Sequence, residues 1–479
     1  MISFVQRLRD LAAEDPDRPA VTLGSTTMTR AQLEDRSDAL ARVLLERGIG
    51  LGDLVSIVAG NHPDWFVACE ALWKVGAIPQ PLNVKMADSE IAAVVDLAES
   101  KVVITADAAR FPGRVTVDPT ARLDDGRPLP DVVSPAWKAP TSGGSTGRPK
   151  LIVTADAAEL DPEAPPLSAT FGIPPGGCLV MPGPLYHNGP LIWSWASVLS
   201  GAQVVLFERF DAEAVLRAIQ DHRADVVYLV PTMMKRIWRL PEGVRNAYDL
   251  SSLQLVWHLA EPCPVWLKRA WIDWLGPERI IELYGGTEAQ LSCIILGTEW
   301  LEHEGSVGKP LGGRISIRDP EGNEVPAGTQ GEVWLRSDRE TPTYHYVGAE
   351  ARTAGDGWES LGDLGHVDAE GYLYLGDRSA DMILVGGANV YPAEVEGVLG
   401  EHPAVRSCAV IGLPDEDKGN RIHAIVEADP GSVTEEELIA LARAHLSIYK
   451  VPRTVELVDE PLRDDAGKVR RTQLRAERL

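Results

Sequence analysis

Apolar residues recur at helical spacing early in the chain. Leu33, Leu40, Leu44 and Leu45 repeat with that period, and Thr29 with Gln32 makes a capping box ahead of them. An apolar run over 54–58 predicts a buried strand, residues 63–75 a helix ending at Gly76, and Asp88 or Ser89 the cap of the next helix. Residues 102–105 read as another buried strand. The alternation continues as strand 202–207, helix 212–222, strand 226–230 and a helix after Pro231, with short strands around 253–257 and 279–281. Strands alternating with helices predict an α/β fold with largely parallel sheets, whose ligands sit at the carboxyl ends of the strands.

From about 312 to 377 the pattern becomes a small antiparallel β subdomain. The turns Asp319-Pro320-Glu321-Gly322 and Asp368-Ala369-Glu370-Gly371 separate short alternating runs such as 315–317 and 333–335. After Asp377 it changes again. A helix starts near Pro392, strands follow over 406–411 and 421–426, Thr434 with Glu437 caps a helix, and a last strand spans 454–458. This is a compact α+β unit of roughly a hundred residues, large enough to fold alone.

Composition narrows the function classes. The 479 residues carry 46 Lys plus Arg against 70 Asp plus Glu, a net charge of −24 that argues against nucleic acid or an anionic membrane as the main partner. The five cysteines, Cys69, Cys178, Cys263, Cys293 and Cys408, form no CxxC pair, so a reducing cytoplasm is expected rather than a disulfide framework or structural zinc. The first ten residues are amphipathic and charged, unlike a signal peptide. No apolar run approaches the ~18 residues of a membrane span. A homodimer is left open.

One stretch stands out for chemistry. Thr141, Ser142, Gly143, Gly144, Ser145, Thr146, Gly147, Arg148, Pro149 and Lys150 combine hydroxyls, unhindered backbone N–H groups and an ammonium. Such a loop can cradle a polyphosphate, although composition alone also allows a plain surface loop. It lacks the spacing of a Walker A motif.

Further motifs follow in order: Met181-Pro182-Gly183-Pro184-Leu185-Tyr186-His187-Asn188-Gly189, Glu282-Leu283-Tyr284-Gly285-Gly286-Thr287-Glu288, Leu361-Gly362-Asp363, Gly376-Asp377-Arg378-Ser379-Ala380-Asp381, Gly386-Gly387-Ala388-Asn389-Val390-Tyr391-Pro392-Ala393-Glu394, and Ala466-Gly467-Lys468-Val469-Arg470-Arg471. Together with the loop they resemble the adenylate-forming superfamily of acyl-CoA synthetases, peptide-synthetase adenylation domains and luciferases, over nearly the whole chain. Leu151-Ile152 after the loop and the run Pro262-Cys263-Pro264-Val265-Trp266-Leu267 are similar to bacterial bile-acid-type and related acid–CoA ligases.

The resemblance implies an N-terminal adenylation domain over 1–377, a hinge at 378–381 and a mobile C-terminal domain over 382–479. It implies that Thr141 to Gly147 and Lys150 hold the β- and γ-phosphates of ATP. Ala260, Glu261 and Pro262 would lie beside adenine, and Tyr284 would stack on it, with Gly285 also in the ATP site. Thr287 would bond the phosphate or adenylate, and Glu288 would bind Mg²⁺. Asp363 would accept from the ribose, with Arg378 assisting. His187 would gate the carboxylate site, and Lys468 would swing in to the α-phosphate and the attacking oxygen. Trp193, Thr232, Leu259 and Gly286 would line the acid pocket, and Gly386 and Gly387 the CoA tunnel. Glu288 also has an independent rationale as a hard oxygen ligand for Mg²⁺.

The hinge departs from the family pattern, with Ala380 where Asp or Lys is usual. The bulk of Trp193, Trp195 and Trp257 points to a small or aromatic acid. The expected activity is an ATP-dependent acid–CoA ligase: a carboxylate becomes acyl-AMP with release of pyrophosphate, then passes to CoA. The alternative keeps the adenylation and changes the acceptor or oxyanion, with acyl transfer to an amine or carrier protein, or nitrite activation for diazotisation of aryl amines.

Overall fold

The computed structural model describes residues 1–143, 149–378, 381–385, 388–415, 418–464 and 467–479. Its centre is a 13-stranded sheet. Six neighbouring strands are parallel, in the order Ile280–Gly285, Leu255–Leu259, Val226–Leu229, Cys178–Met181, Gln203–Leu206 and Pro19–Leu23. Most are short apolar runs buried on both faces, as parallel strands between helices must be. The expected α/β class is therefore what the chain adopts, with helices covering the sheet.

The expected β subdomain consists of antiparallel strands, but it is no separate sheet. Gly313–Arg318, Gly331–Ser337, Glu359–Val367 and Leu373–Arg378 pair in series. The last of them joins Ser306–Leu311, which pairs through Ser292–Leu296 to the parallel strand Ile280–Gly285. Tyr344–Val347 leaves this group and pairs instead with Pro149–Thr154, the second arm of the hairpin that starts at Thr141–Gly143.

A second parallel sheet holds Ile78–Leu82, Leu54–Val58, Val103–Ile104 and Thr116–Val117. The helix Asp64–Lys74 is buried along its whole length, charges included. The Lys74 ammonium is enclosed by Asp38 at 2.7 Å, Glu34 at 2.9 Å and Glu70 at 3.3 Å, which is how a buried charge becomes tolerable.

The C-terminal part has its own core, in which Val395, Leu399, Val410, Ile422, Val426 and Leu438 pack together. Its strands Ser407–Asp415, Gly419–Glu427 and Thr454–Val458 lie close to the expected ranges. Thr434 and Glu437 form the expected capping box, as do Thr29 and Gln32. The helix after Ala87 differs in detail: Asp88 is its first residue rather than its cap, and the Ala87 N–H is taken by Glu90. This C-terminal part rests on the larger one through Arg239, which donates to the His402 carbonyl at 3.1 Å, and through Arg470, 3.5 Å from Glu90.

Candidate active site

The motifs expected to bind the nucleotide meet near the carboxyl end of Ile280–Gly285. That strand ends on Tyr284 and Gly285, and the chain then turns through Gly286 and Thr287 into Glu288. The Tyr284 hydroxyl donates to Asp363 Oδ2 at 2.7 Å. Asp363 sits on Glu359–Val367 with its Cα in register with Arg378 on Leu373–Arg378. Strand pairing thus sets Asp363 opposite Arg378, and the side-chain hydrogen bond brings Tyr284 to Asp363 from a strand that pairs with neither. A Cβ at Gly286 would sit 2.5 Å from Leu361 Cδ1 and 2.9 Å from Glu288 Oε2, so a side chain here would displace the Glu288 carboxylate or Leu361.

Glu288 is buried and held from two sides. Its carboxylate accepts from the Tyr346 hydroxyl at 2.7 Å, and its carbonyl accepts from the Thr343 hydroxyl at 2.7 Å. Lys150 lies 3.6 Å from Glu288 Oε1 with its ammonium 3.9 Å from the Tyr346 ring centre. The pairing of Pro149–Thr154 with Tyr344–Val347 makes this possible, because it sets Lys150 and Tyr346 on neighbouring strands. At the root of the hairpin, Gln80 donates to the Thr141 hydroxyl at 2.8 Å. Gly144, Ser145, Thr146 and Gly147 lie outside the described residues, as do Gly386 and Gly387.

His187 is the N-cap of the helix Asn188–Leu199. The residue is half-buried, with Nε2 shielded from solvent and unbonded among the described residues. Burial, and after it the charge of Lys468, push its pKa down to about 3, so the imidazole is neutral. Lys468 is itself exposed and ends a turn in which its N–H donates to Asp464 Oδ1 at 2.9 Å. The preceding Gly467, at φ +77°, presses on the Glu261 carboxyl.

Glu261 follows Ala260, whose φ of +74° turns the chain inward. Its Oε2 accepts from the Thr232 hydroxyl at 2.8 Å, while Oε1 is enclosed without a partner. Burial raises the carboxyl to about 7, against the opposing pull of Arg463 and Thr232. Leu259 ends the strand before it and is buried.

Trp193 stacks on Phe171 with ring centres 3.8 Å apart and meets Tyr228 and Trp257 edge-on at 5.4 Å each. All four rings are buried. Trp257 Nε1 donates to the Phe171 carbonyl at 2.9 Å and so fixes the stack. Phe171, Tyr228, Tyr346 and Lys138 were not singled out in the sequence. Of these, Tyr346 had a local signal, in the alternation of Tyr344, His345 and Tyr346.

Residues 8–345 match the AMP-binding enzyme family, and residues 394–468 match the AMP-binding enzyme C-terminal domain. The chain belongs to the AMP-binding enzyme family. It is similar to the feruloyl-CoA synthase of an Amycolatopsis species, at 33% identity covering 97% of this chain and 96% of that one. It is also similar to the solved o-succinylbenzoate CoA synthetase of Bacillus subtilis in complex with its acyl-adenylate intermediate. There the TM-score is 0.83 and the identity 26%, over 98% of this chain and 97% of that one. A third likeness is to the amide bond synthetase of Marinactinospora thermotolerans, with TM-score 0.78 and 29% identity over 99% of each chain. As an AMP-binding enzyme of the acyl-CoA synthetase kind, the chain is an AMP-forming ligase. Among the described residues no helix is long and apolar enough to cross a membrane.

Proposed function

We propose that this AMP-binding enzyme is an ATP-dependent ligase joining a compact aromatic acid to CoA. The observation that carries this reading is the seating of the Lys468 turn on Glu261, close to the neutral His187. A carboxylate oxygen attacks the α-phosphorus of ATP, and the bond to pyrophosphate breaks. Lys468 brings positive charge to the pentavalent centre, and His187, uncharged, shapes the space for the carboxylate without pairing with it. Lys150 and the hairpin hydroxyls hold the leaving pyrophosphate. Tyr284, through Asp363, orients the ribose.

Glu288 fits Mg²⁺, a hard cation that takes one or two protein carboxylates and completes its shell with phosphate and water. When bound, the ion neutralises charge on the phosphates. In the second half-reaction the CoA sulfur attacks the acyl carbonyl and AMP leaves. This step needs Lys468 withdrawn; the expected pivot is 378–381, of which Ser379 and Ala380 lie outside the described residues.

The box of Phe171, Trp193, Tyr228 and Trp257 favours a flat, short acid over a long aliphatic chain. The named relatives act on feruloyl and o-succinylbenzoyl groups, both aromatic. A second reading has an amine as the acyl acceptor, and the likeness to an amide bond synthetase favours it.

The test is AMP release across a panel of aryl and alkyl acids, with CoA, with amines and with neither, and a nitrite arm with aryl amines. Turnover of an aryl acid that needs CoA is expected. Turnover only with an amine transfers the conclusion to the second reading, and turnover only with nitrite overturns both. Within the site, Lys468→Ala is expected to lose adenylation by about a hundredfold or more while still converting synthetic acyl-adenylate with CoA.

A further inference from the structure

Lys138 stands three residues ahead of the Thr141 hairpin and is 4% exposed. Its ammonium donates to Asn188 Oδ1 and lies 5.0 Å from the centre of the Trp137 ring. Among the described residues it has no carboxylate in contact; Asp156 and Glu288 act on it from a distance. A buried cation without a contacting counter-ion is costly. Burial accordingly draws its pKa down to about 7.

Asn188 gives this cation an outlet. It is the first residue of Asn188–Leu199, directly after His187, and is half-buried. With Oδ1 turned to Lys138, the planar amide sends Nδ2 in a diverging direction, and Nδ2 has no acceptor among the described residues. The same helix start presents unsatisfied backbone N–H groups, whose partial charge favours an anion. His187 Nε2, buried beside it, is also unbonded. The phosphate-directed cation, Lys150, belongs to the other wall, against Glu288.

We propose that Lys138 is a positioning residue for the acid substrate: it fixes and polarises the Asn188 amide so that Nδ2–H donates to the incoming carboxylate beside His187. This rests on the reading of His187 as the marker of the carboxylate site. Lys138 makes no contact with the acid itself. Its charge is felt through an amide whose orientation it imposes.

Acid-dependent ATP–pyrophosphate exchange tests the assignment in the full-length enzyme. Lys138→Met and Asn188→Ala are each expected to raise the acid KM about tenfold or more, as loss of a hydrogen bond to a charged group implies, with the ATP KM within about twofold. The double variant is expected to be no worse than Asn188→Ala, since one residue acts through the other. Asn188→Asp keeps a partner for Lys138 but sets a negative charge before the acid. It is expected to hold or raise Tm while losing acid affinity further.

An unchanged acid KM in Lys138→Met, an equal rise in the ATP KM, or multiplying effects in the double variant would each overturn the proposal. Should Lys138→Met fail to fold, Lys138→Arg and Asn188→Asp carry the same test. In that case, normal acid affinity in Asn188→Asp refutes it. If the wild-type enzyme exchanges with no carboxylic acid, the ligase reading falls and takes this proposal with it. Exchange in the wild type with indifferent variants defeats this proposal alone.

Discussion

Gly467 lies directly on the carboxyl of Glu261, so close that a Cβ at position 467 would overlap the carboxylate oxygen. The contact joins the C-terminal turn that carries Lys468 to the floor of the larger part. The φ of +77° favours glycine, and a side chain there would in addition push the Glu261 carboxyl aside.

Gly467→Ala adds a left-handed strain of ~1–2 kcal/mol to that overlap, so docking of the turn suffers while each part still folds. Adenylation is expected to fall at least about tenfold, and consumption of synthetic acyl-adenylate with CoA to persist. Glu261→Ala in the same chain removes the overlap and is expected to recover part of the loss. Equal damage to both half-reactions would contradict the assignment.

The same contact is proton-linked. Burial lifts the Glu261 carboxyl to about 7, above its ordinary value of about 4.3. The docked form therefore holds a proton that the undocked form releases. Docking weakens as pH rises from about 4.3 through about 7 and is level above that. The ratio of wild-type to Glu261→Gln adenylation is expected to decline across pH 5.5 to 7 and flatten beyond. The groups facing Glu261 are Thr232, Tyr228, Cys263, Arg463 and Asp464. A ratio independent of pH would rule the linkage out.

Tyr284→Phe removes the 2.7 Å bond to Asp363 and keeps the ring. A bond of ~1 kcal/mol corresponds to a rise of roughly three- to tenfold in the ATP KM. The acid KM is expected to stay put. Initial-rate kinetics with each substrate varied in turn separates the two.

Trp193→Leu opens the aromatic box. The lost stack on Phe171 and the cavity left behind are expected to cost about 2–4 kcal/mol in denaturant unfolding. In the acid panel, preference is expected to move toward bulkier aryl acids. A variant with unchanged acid ranking would take Trp193 out of the pocket wall.

Local signals were legible in the sequence, and distant pairings were not. The capping boxes at Thr29 and Thr434 need only four consecutive residues, and both stand as read. The strand 54–58 stands with its bounds, because a buried apolar run between turn residues has few other places to go, and 454–458 stands too although only Val455 in it is buried. The pairing of Pro149–Thr154 with Tyr344–Val347 was invisible, since nothing near either segment encodes its partner. The same holds for Glu261. Beside adenine it reads as an ordinary polar residue, and only the packing of Gly467 on it reveals a shielded carboxyl. Lys138 was passed over because a single lysine in a loop normally faces water; its burial depends on the helix that begins at Asn188.

The strand Ile280–Gly285 has one parallel neighbour, Leu255–Leu259, and one antiparallel neighbour, Ser292–Leu296. Parallel strands and their following helices lie on one flank of this seam, and on our reading they carry the acid: Trp193, Tyr228, Thr232. Antiparallel strands on the other flank carry Asp363 and the approach to Arg378. On that reading the acid wall and the Asp363 side of the nucleotide site occupy opposite banks of one sheet, with Ala260 to Pro262 after Leu255–Leu259 as the point where the banks meet. Changes at Trp193 or Tyr228 leave the Tyr284–Asp363 bond untouched, so the architecture lends itself to drift in the acid wall, whereas Thr232, bonded to Glu261, ties that wall to the expected adenine side.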